Sequence, residues 1–239
     1  MKVKLVSLYN KLTLYKVKEY SRFKIGYIDT TDFLTKKMTE LILKNLSVDK
    51  KYVLYTTNRF PTKSYYKKNS LLLTEKIAKN LHLPLIVGQY KYRYNKKTFY
   101  DHYHRKIHLP KVSRQEKVRF KNYIFLMIDD SVLTKTTLKV SLNELKNVTN
   151  ELIFFSVINL KNSKYTETQI NDYYYKKHGL VCLIELLKTN KYIITTHFLR
   201  IIDVLNKSEL IKLSKGISQK QKKLLIKAFK KYIGKDLDI

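Results

Sequence analysis

Two adjacent aspartates, Asp129 and Asp130, are the residues best suited to chemistry. They follow residues 122–128, an unbroken apolar run of the kind that forms a buried strand. A Thr-rich turn, residues 134–137, comes next and opens a segment with helical spacing. Amides of such a turn converge on one point and can hold a phosphate, whereas carboxylates bind vicinal hydroxyls or a cation. A phosphorylated ribose supplies both kinds of group.

This stretch resembles the fingerprint of the phosphoribosyltransferases that use phosphoribosyl pyrophosphate. Their motif has four apolar residues, two acids and a loop with Thr, Gly and Thr. The resemblance makes Phe125 to Ile128 the strand and Asp129 and Asp130 the ribose-binding acids. The 5-phosphate loop would consist of Thr134, Lys135, Thr136 and Thr137.

Lys135 stands where that family usually has glycine. If the backbone has positive φ there, a lysine costs on the order of 1 kcal/mol or more. Its ammonium group would instead add a charge-assisted contact to the phosphate. The alternative interpretation of Asp129 and Asp130 is a helix cap and a solvated loop acid.

A second stretch occupies the place of the family's pyrophosphate-binding loop, between an earlier strand and the helical segment SLLLTEKIAKNL. Its candidate residues are Thr57, Asn58, Arg59, Lys63, Lys67 and Lys68. This basic and aromatic segment resembles that of competence protein F-like members. Residues 96–120 resemble the mobile catalytic loop, with Arg105, Lys106 and Arg114 as candidates to contact the leaving group. Each of these charges, taken alone, is also explained as solvated surface.

The resemblance spans residues 33–160 and implies transfer of phosphoribose, with Mg²⁺, to a base, nucleotide or nucleic acid, releasing pyrophosphate. No metal held by side chains alone is predicted, because Asp101, His102, His104 and His108 are interpreted as polar surface. The alternative function is a weakened phosphoribosyltransferase fold that serves as a nucleic-acid-binding or regulatory module. Lys135 and the charge of the chain motivate this alternative.

Alternation of strand and helix patterns predicts an α/β fold with a mainly parallel sheet and helices on both faces. We assign this core to residues 33–162. Residues 1–32 alternate apolar and polar side chains and are predicted to form N-terminal β strands. Residues 163–239 are predicted to be a mostly helical appendage. Either flanking part is a candidate for the hood that selects the acceptor.

The chain has a net charge of +30, which favours a polyanionic partner such as RNA or DNA. A lysine-rich genome is the competing explanation. Its 20 tyrosines, often beside lysines, could stack on bases or simply pack. The lone Cys182 and the lack of a long apolar run predict a cytoplasmic protein without membrane contact. The sequence leaves a homodimer open.

Overall fold

Five parallel strands form one sheet at the centre of the molecule. The computed structural model describes residues 1–58, 66–89, 112–132, 136–160, 165–189 and 191–239. The strands are β1 (Lys2–Tyr9), β2 (Tyr52–Asn58), β3 (Leu85–Gln89), β4 (Ile124–Val132) and β5 (Glu151–Asn159). Their order across the sheet is β1-β5-β4-β2-β3, and every pairing is parallel. The predicted α/β fold with a parallel sheet is confirmed.

Helices cover both faces of this sheet. In chain order they are α1 (Leu14–Ile25), α2 (Ile28–Leu43), α3 (Asn69–Leu81), α4 (Arg114–Arg119), α5 (Thr136–Leu145), α6 (Glu167–Asn171), α7 (Tyr173–Lys188), α8 (Thr196–Asp203), α9 (Lys207–Gly216) and α10 (Gln219–Ile233). Side chains of α1, α2 and α3 pack on one face, with Leu126 and Ile128 of β4. Leu138 and Leu145 of α5 pack on the other, with Phe125 and Met127.

The predicted N-terminal strands are confirmed only for β1, which is an edge strand of the main sheet. Residues 14–25 were also expected to be extended, but they form α1. Thr13 caps this helix by accepting a hydrogen bond from the Lys16 amide at 3.4 Å. Val17, Tyr20 and Phe23 are buried on one side of it. Helical spacing of large apolar side chains therefore outweighs their strand propensity here.

A tight connection at Gly26 joins α1 to α2. Helix α2 begins at Ile28 and includes Thr30, Thr31 and Asp32 in its first turns. The hydroxyl of Thr31 donates to the Tyr27 carbonyl one turn earlier, at 2.8 Å. The sharp turn is available because Gly26 has a φ of 117°, which side-chain-bearing residues rarely adopt.

The predicted helical C-terminal part consists of α6 to α10. Its apolar core includes Leu183, Phe198 and Phe229, together with Ile25 at the end of α1. The α7–α8 connection, residues 191–195, binds the backbone near the end of α1: the Ile193 amide donates to the Gly26 carbonyl at 3.0 Å. The domain boundaries at residues 32 and 162 stay a prediction. In the described part of the chain, no helix is both long and apolar enough to cross a membrane.

We predict that Gly26→Ala loosens the C-terminal helices from the sheet. A Cβ atom at Gly26 would lie 2.1 Å from the Ile193 carbonyl oxygen, so backbone must shift. Gly234→Ala is the matched control, because Gly234 also has positive φ, at 79°, but its Cβ would meet nothing within 4 Å. Urea unfolding should show a loss of about 1 kcal/mol for the control. Gly26→Ala should lose about 2 kcal/mol more, and equal losses would contradict the docking described here.

Candidate functional site

Asp129 and Asp130, the acid pair, lie inside β4. The sequence placed them directly after a strand ending at Ile128, but β4 continues to Val132. The reason is its neighbour, since β5 continues beside it with Asp129 opposite Ser156 and Val132 opposite Asn159. At the two acids β4 is therefore paired with β5, whereas its pairing with β2 ends at Met127.

The acid pair extends the buried part of β4. Side chains alternate along a strand, and β4 follows this rule, with Phe125 and Met127 in one core cluster and Leu126 and Ile128 in the other. Both carboxylates are nearly buried, with the residues 6% and 7% exposed. The two carboxylates share one neighbour, since Lys68 acts on the pKa of each.

Asp130 forms a buried ion pair with Lys24. The ammonium Nζ of Lys24 lies 2.5 Å from Oδ2 of Asp130, and the two side chains are 12% and 10% exposed. Lys24 stands in the last turn of α1, 106 residues away in sequence. Sequence reasoning missed Lys24, because nothing distinguishes it from the chain's other Lys and Arg residues.

Neighbouring elements hold Lys24 in place through its own backbone. Its carbonyl accepts a hydrogen bond from the Thr195 hydroxyl at 2.6 Å. It also accepts one from the side-chain amide of Asn69 at 3.4 Å, and the same side-chain amide donates to the Phe23 carbonyl at 2.8 Å. His197 lies in the same region, and burial lowers its pKa, while Asp172 opposes the shift. A neutral His197 adds no second positive charge beside Lys24.

Asp129 faces the end of β2 and the start of α3. Nζ of Lys68 lies 3.6 Å from Oδ1 of Asp129. The same ammonium donates to the Thr57 hydroxyl at 3.4 Å and to its carbonyl at 3.5 Å. The backbone amide of Asp130 donates to Asp129 Oδ1 at 3.0 Å. The structure thus brings together four of the residues singled out from the sequence: Thr57, Lys68, Asp129 and Asp130.

The two carboxyl groups have opposite electrostatic environments. Burial raises the pKa of Asp129 to about 6, because Lys68 offsets the loss of solvation only in part. Burial also acts to raise the pKa of Asp130, but Lys24 and then Lys68 outweigh it, so the pKa of Asp130 lies well below its usual range. Asp130 is therefore a permanent anion near neutral pH, whereas Asp129 gains a proton in mild acid.

Other predicted site residues lie elsewhere or outside the described residues. Lys67 forms an ion pair with Glu75 of α3. Arg114 is exposed in the first turn of α4, and it makes no contact with the acid pair within the described chain. Thr136 and Thr137 begin α5, but their side chains, like that of Asn58, are not described. Six other candidate site residues lie outside the described ranges: Arg59, Lys63, Arg105, Lys106, Thr134 and Lys135. The same holds for the residues interpreted as polar surface, Asp101, His102, His104 and His108.

The topology of the sheet places this cluster where α/β sheets bind ligands. The chain moves outward from β2 to β3 on one side and from β4 to β5 on the other. The carboxyl ends of the neighbouring strands β2 and β4 therefore form a switch point, and ligands bind in the crevice beyond such ends. Thr57 and the acid pair lie at these two ends.

Comparison with known proteins gives structural neighbours only. No protein-family model matches the chain, and no curated protein matches it. A hypoxanthine phosphoribosyltransferase from Staphylococcus aureus has 16% identity, with 59% of this chain and 70% of that chain covered and a TM-score of 0.39. An adenine phosphoribosyltransferase from Leishmania tarentolae has 13% identity, 60% and 74% coverage and a TM-score of 0.35.

A purine phosphoribosyltransferase from Pyrococcus horikoshii has 15% identity, with 66% of this chain and 89% of that chain covered and a TM-score of 0.33. These three neighbours are all phosphoribosyltransferases. Similarity at this level gives no information about the ligand of this chain. The resemblance to competence protein F-like members stays a prediction.

We predict opposite effects on stability from removing each charge of the acid pair. Asp130→Asn leaves the Lys24 ammonium buried without its anion and should cost about 3 kcal/mol at pH 8. Asp129→Asn removes a carboxylate whose ionisation the fold opposes, so unfolding free energy should stay constant or rise. Urea unfolding at pH 8 measures both.

The pH dependence gives an independent check. The raised pKa of Asp129 means that the folded chain binds its proton more tightly than the unfolded chain does. Wild-type protein should therefore lose stability from this group as pH rises from about 4 to about 6. Asp129→Asn should lack this loss. Equal destabilisation by the two variants would contradict the assigned environments.

Proposed function

We propose that this chain binds phosphoribosyl pyrophosphate at the switch point and transfers phosphoribose to a base, nucleotide or nucleic-acid acceptor, with release of pyrophosphate. The observation that carries this proposal is the position of the acid pair at the end of β4, beside the end of β2. Three residues separate the end of β4 from the start of α5, a spacing that suits a phosphate-binding turn.

Each part of the ligand has a partner of suitable chemistry. The acid pair accepts hydrogen bonds from the ribose hydroxyl groups, because ionised carboxylates are acceptors only. Residues 134–137 and the first amides of α5 are assigned to the 5-phosphate. Thr57 and Lys68 are assigned to the pyrophosphate, since Lys68 is the ammonium group next to Asp129 and remains about one third exposed.

The proposed reaction is a displacement at the anomeric carbon of the sugar. The bond from this carbon to the pyrophosphate oxygen breaks, and a bond to the acceptor nucleophile forms. The acceptor loses its proton, so the products are the phosphoribosylated acceptor, pyrophosphate and a proton. The chain contributes mainly position and charge, because the transition state is cationic at the sugar and anionic at the leaving group.

Mg²⁺ fits this proposal as a companion of the substrate. Within the described residues, no group of three or more acidic, His or Cys side chains could hold a metal. Mg²⁺ commonly uses one or two carboxylates plus substrate phosphates and water, and Asp129 is the carboxylate available for that role. When bound, the ion would neutralise charge that develops on the departing pyrophosphate.

We predict that binding of the sugar is pH-dependent through Asp129. An ionised carboxylate binds hydroxyl groups and Mg²⁺, so affinity for phosphoribosyl pyrophosphate with Mg²⁺ should rise as pH increases from 5 to 7.5. Isothermal titration calorimetry measures this change. Asp129→Asn should weaken binding at least about tenfold at pH 7.5 and remove the pH dependence.

Asp49→Asn serves as the matched control for that experiment. Asp49 is an exposed acid on the segment that precedes β2, at the opposite edge of the sheet from the acid pair. Its loss should leave binding unchanged. Wild-type protein that neither binds the sugar nor releases pyrophosphate with any acceptor would remove the proposal.

A second candidate function is a nucleic-acid-binding or regulatory module with weakened chemistry. It is favoured by the ion pairs of the site, because Lys24 already pairs with Asp130 and Lys68 lies 3.6 Å from Asp129. A sugar would have to share or displace Lys24 to reach Asp130. For this candidate, we predict salt-dependent binding of RNA that is equal in wild type and Asp129→Asn, without pyrophosphate release. RNA affinity that falls with Asp129→Asn would exclude it.

A further inference from the structure

Helix α10 carries a stripe of lysines along one side. Successive positions three or four residues apart lie on the same face of a helix. The lysine stripe consists of Lys220, Lys223, Lys227, Lys230 and Lys231, all of which are exposed. The helix contains a sixth lysine, Lys222, and no acidic residue.

The local sequence, and not lysine abundance in general, produces this stripe. Helix α2 has nearly the same length, 16 residues against 15, yet contains two lysines and three acids. A uniform lysine bias would give both helices similar numbers of lysines. The contrast indicates that positive charge is concentrated on α10.

One ion pair of the stripe is exposed to solvent. Lys230 forms an exposed ion pair with Asp236 at 2.8 Å, and such pairs contribute little and yield readily to other anions. On the preceding helix α9, the exposed residues Lys212 and Lys215 carry further positive charge. The one acid of α9, Glu209, caps that helix by accepting from the Asn206 amide at 2.9 Å.

The opposite side of α10 is fixed in the C-terminal core. Leu225, Ala228, Phe229 and Tyr232 are buried. The Tyr232 ring packs edge-on against Tyr66, with ring centroids 5.0 Å apart, and its hydroxyl accepts from Arg200 Nε at 3.0 Å. The fold therefore holds the lysine stripe outward, on a helix that is not free to rotate.

The dimensions of the stripe suit a phosphate backbone. From Lys220 to Lys231 the helix rises by about 17 Å. One nucleic-acid strand carries a phosphate about every 3.4 Å along a duplex axis, so this length corresponds to about five phosphates. The lysine stripe offers five ammonium groups over the same distance.

A membrane surface fits less well. Helices that lie on membranes insert an apolar face between the lipids. The apolar face of α10 is already buried against the rest of the chain, and what it exposes is mainly its charges together with Leu224. Charge without an apolar face favours nucleic acid, whose binding is largely electrostatic.

We propose that the lysine stripe of α10 is a nucleic-acid-binding surface that contacts the phosphate backbone without reading sequence. This surface would supply the nucleic-acid contact that the second candidate function requires. The proposal does not depend on that second function. It is also independent of sugar binding, because Asp129→Asn leaves it intact.

The test compares two triple variants that remove equal charge. Lys220→Gln, Lys223→Gln and Lys227→Gln are combined in one variant, and Lys36→Gln, Lys44→Gln and Lys79→Gln in the control. All six lysines are exposed, and the control residues lie on or next to α2 and α3. Gln keeps helix propensity close to that of Lys, and circular dichroism checks the fold. Binding of a labelled 20-nucleotide RNA is measured by fluorescence anisotropy from 50 to 300 mM NaCl.

The stripe variant should bind RNA about tenfold more weakly at 100 mM NaCl, and its slope of log K against log salt should fall by about 2. The control should stay within about twofold of wild type. Equal losses in both variants, or no binding of RNA by wild-type protein, would overturn the proposal. It would also fail if the stripe variant lost binding to phosphatidylserine vesicles while its RNA affinity stayed that of wild type.

Discussion

A buried ammonium group needs a buried anion, and the Lys24–Asp130 pair meets this constraint at the centre of the molecule. The pair joins the end of α1 to the central strand β4 across 106 residues. Because Thr195 binds the Lys24 carbonyl, the C-terminal helices are attached to the same point. Either partner alone would be a costly unpaired charge, so this interaction links the sheet, α1 and the C-terminal helices at one point.

The acid pair therefore divides its work between structure and ligand binding. Asp130 is held as an anion by Lys24, and its removal is a structural loss. Asp129 is disfavoured as an anion by burial and only partly compensated by Lys68, which leaves it with unused capacity to bind a hydroxyl group or a cation. A group that the fold holds in an unfavourable state is typical of functional sites.

Much of the core could be predicted from the sequence, because its signals are local. The run Phe125 to Ile128 is apolar throughout and is the buried strand β4, while the pattern after Thr136 forms α5. Helix α1 was missed because its β-branched and aromatic residues also alternate as in a strand. The burial of Val17, Tyr20 and Phe23, which are spaced three residues apart, shows that the folded chain follows the helical period.

Site residues could be predicted only where they belong to a recognisable sequence motif. The sequence indicated the acid pair, Thr57 and Lys68, and the structure places them together. Lys24 could not be predicted, because its partner lies far away in sequence and many lysines have the same local context. Tyr66, beside the candidate Lys67, is a core residue that packs against Tyr232, a contact that only the tertiary fold creates.

A crystal structure of the chain with phosphoribosyl pyrophosphate and Mg²⁺ would test the central claim most directly. The account predicts ribose hydroxyl oxygens within hydrogen-bonding distance of Asp129 and Asp130, and the 5-phosphate at residues 134–137. Sugar bound away from the carboxyl ends of β2 and β4, or an unchanged acid pair with no sugar density at saturating concentration, would contradict it.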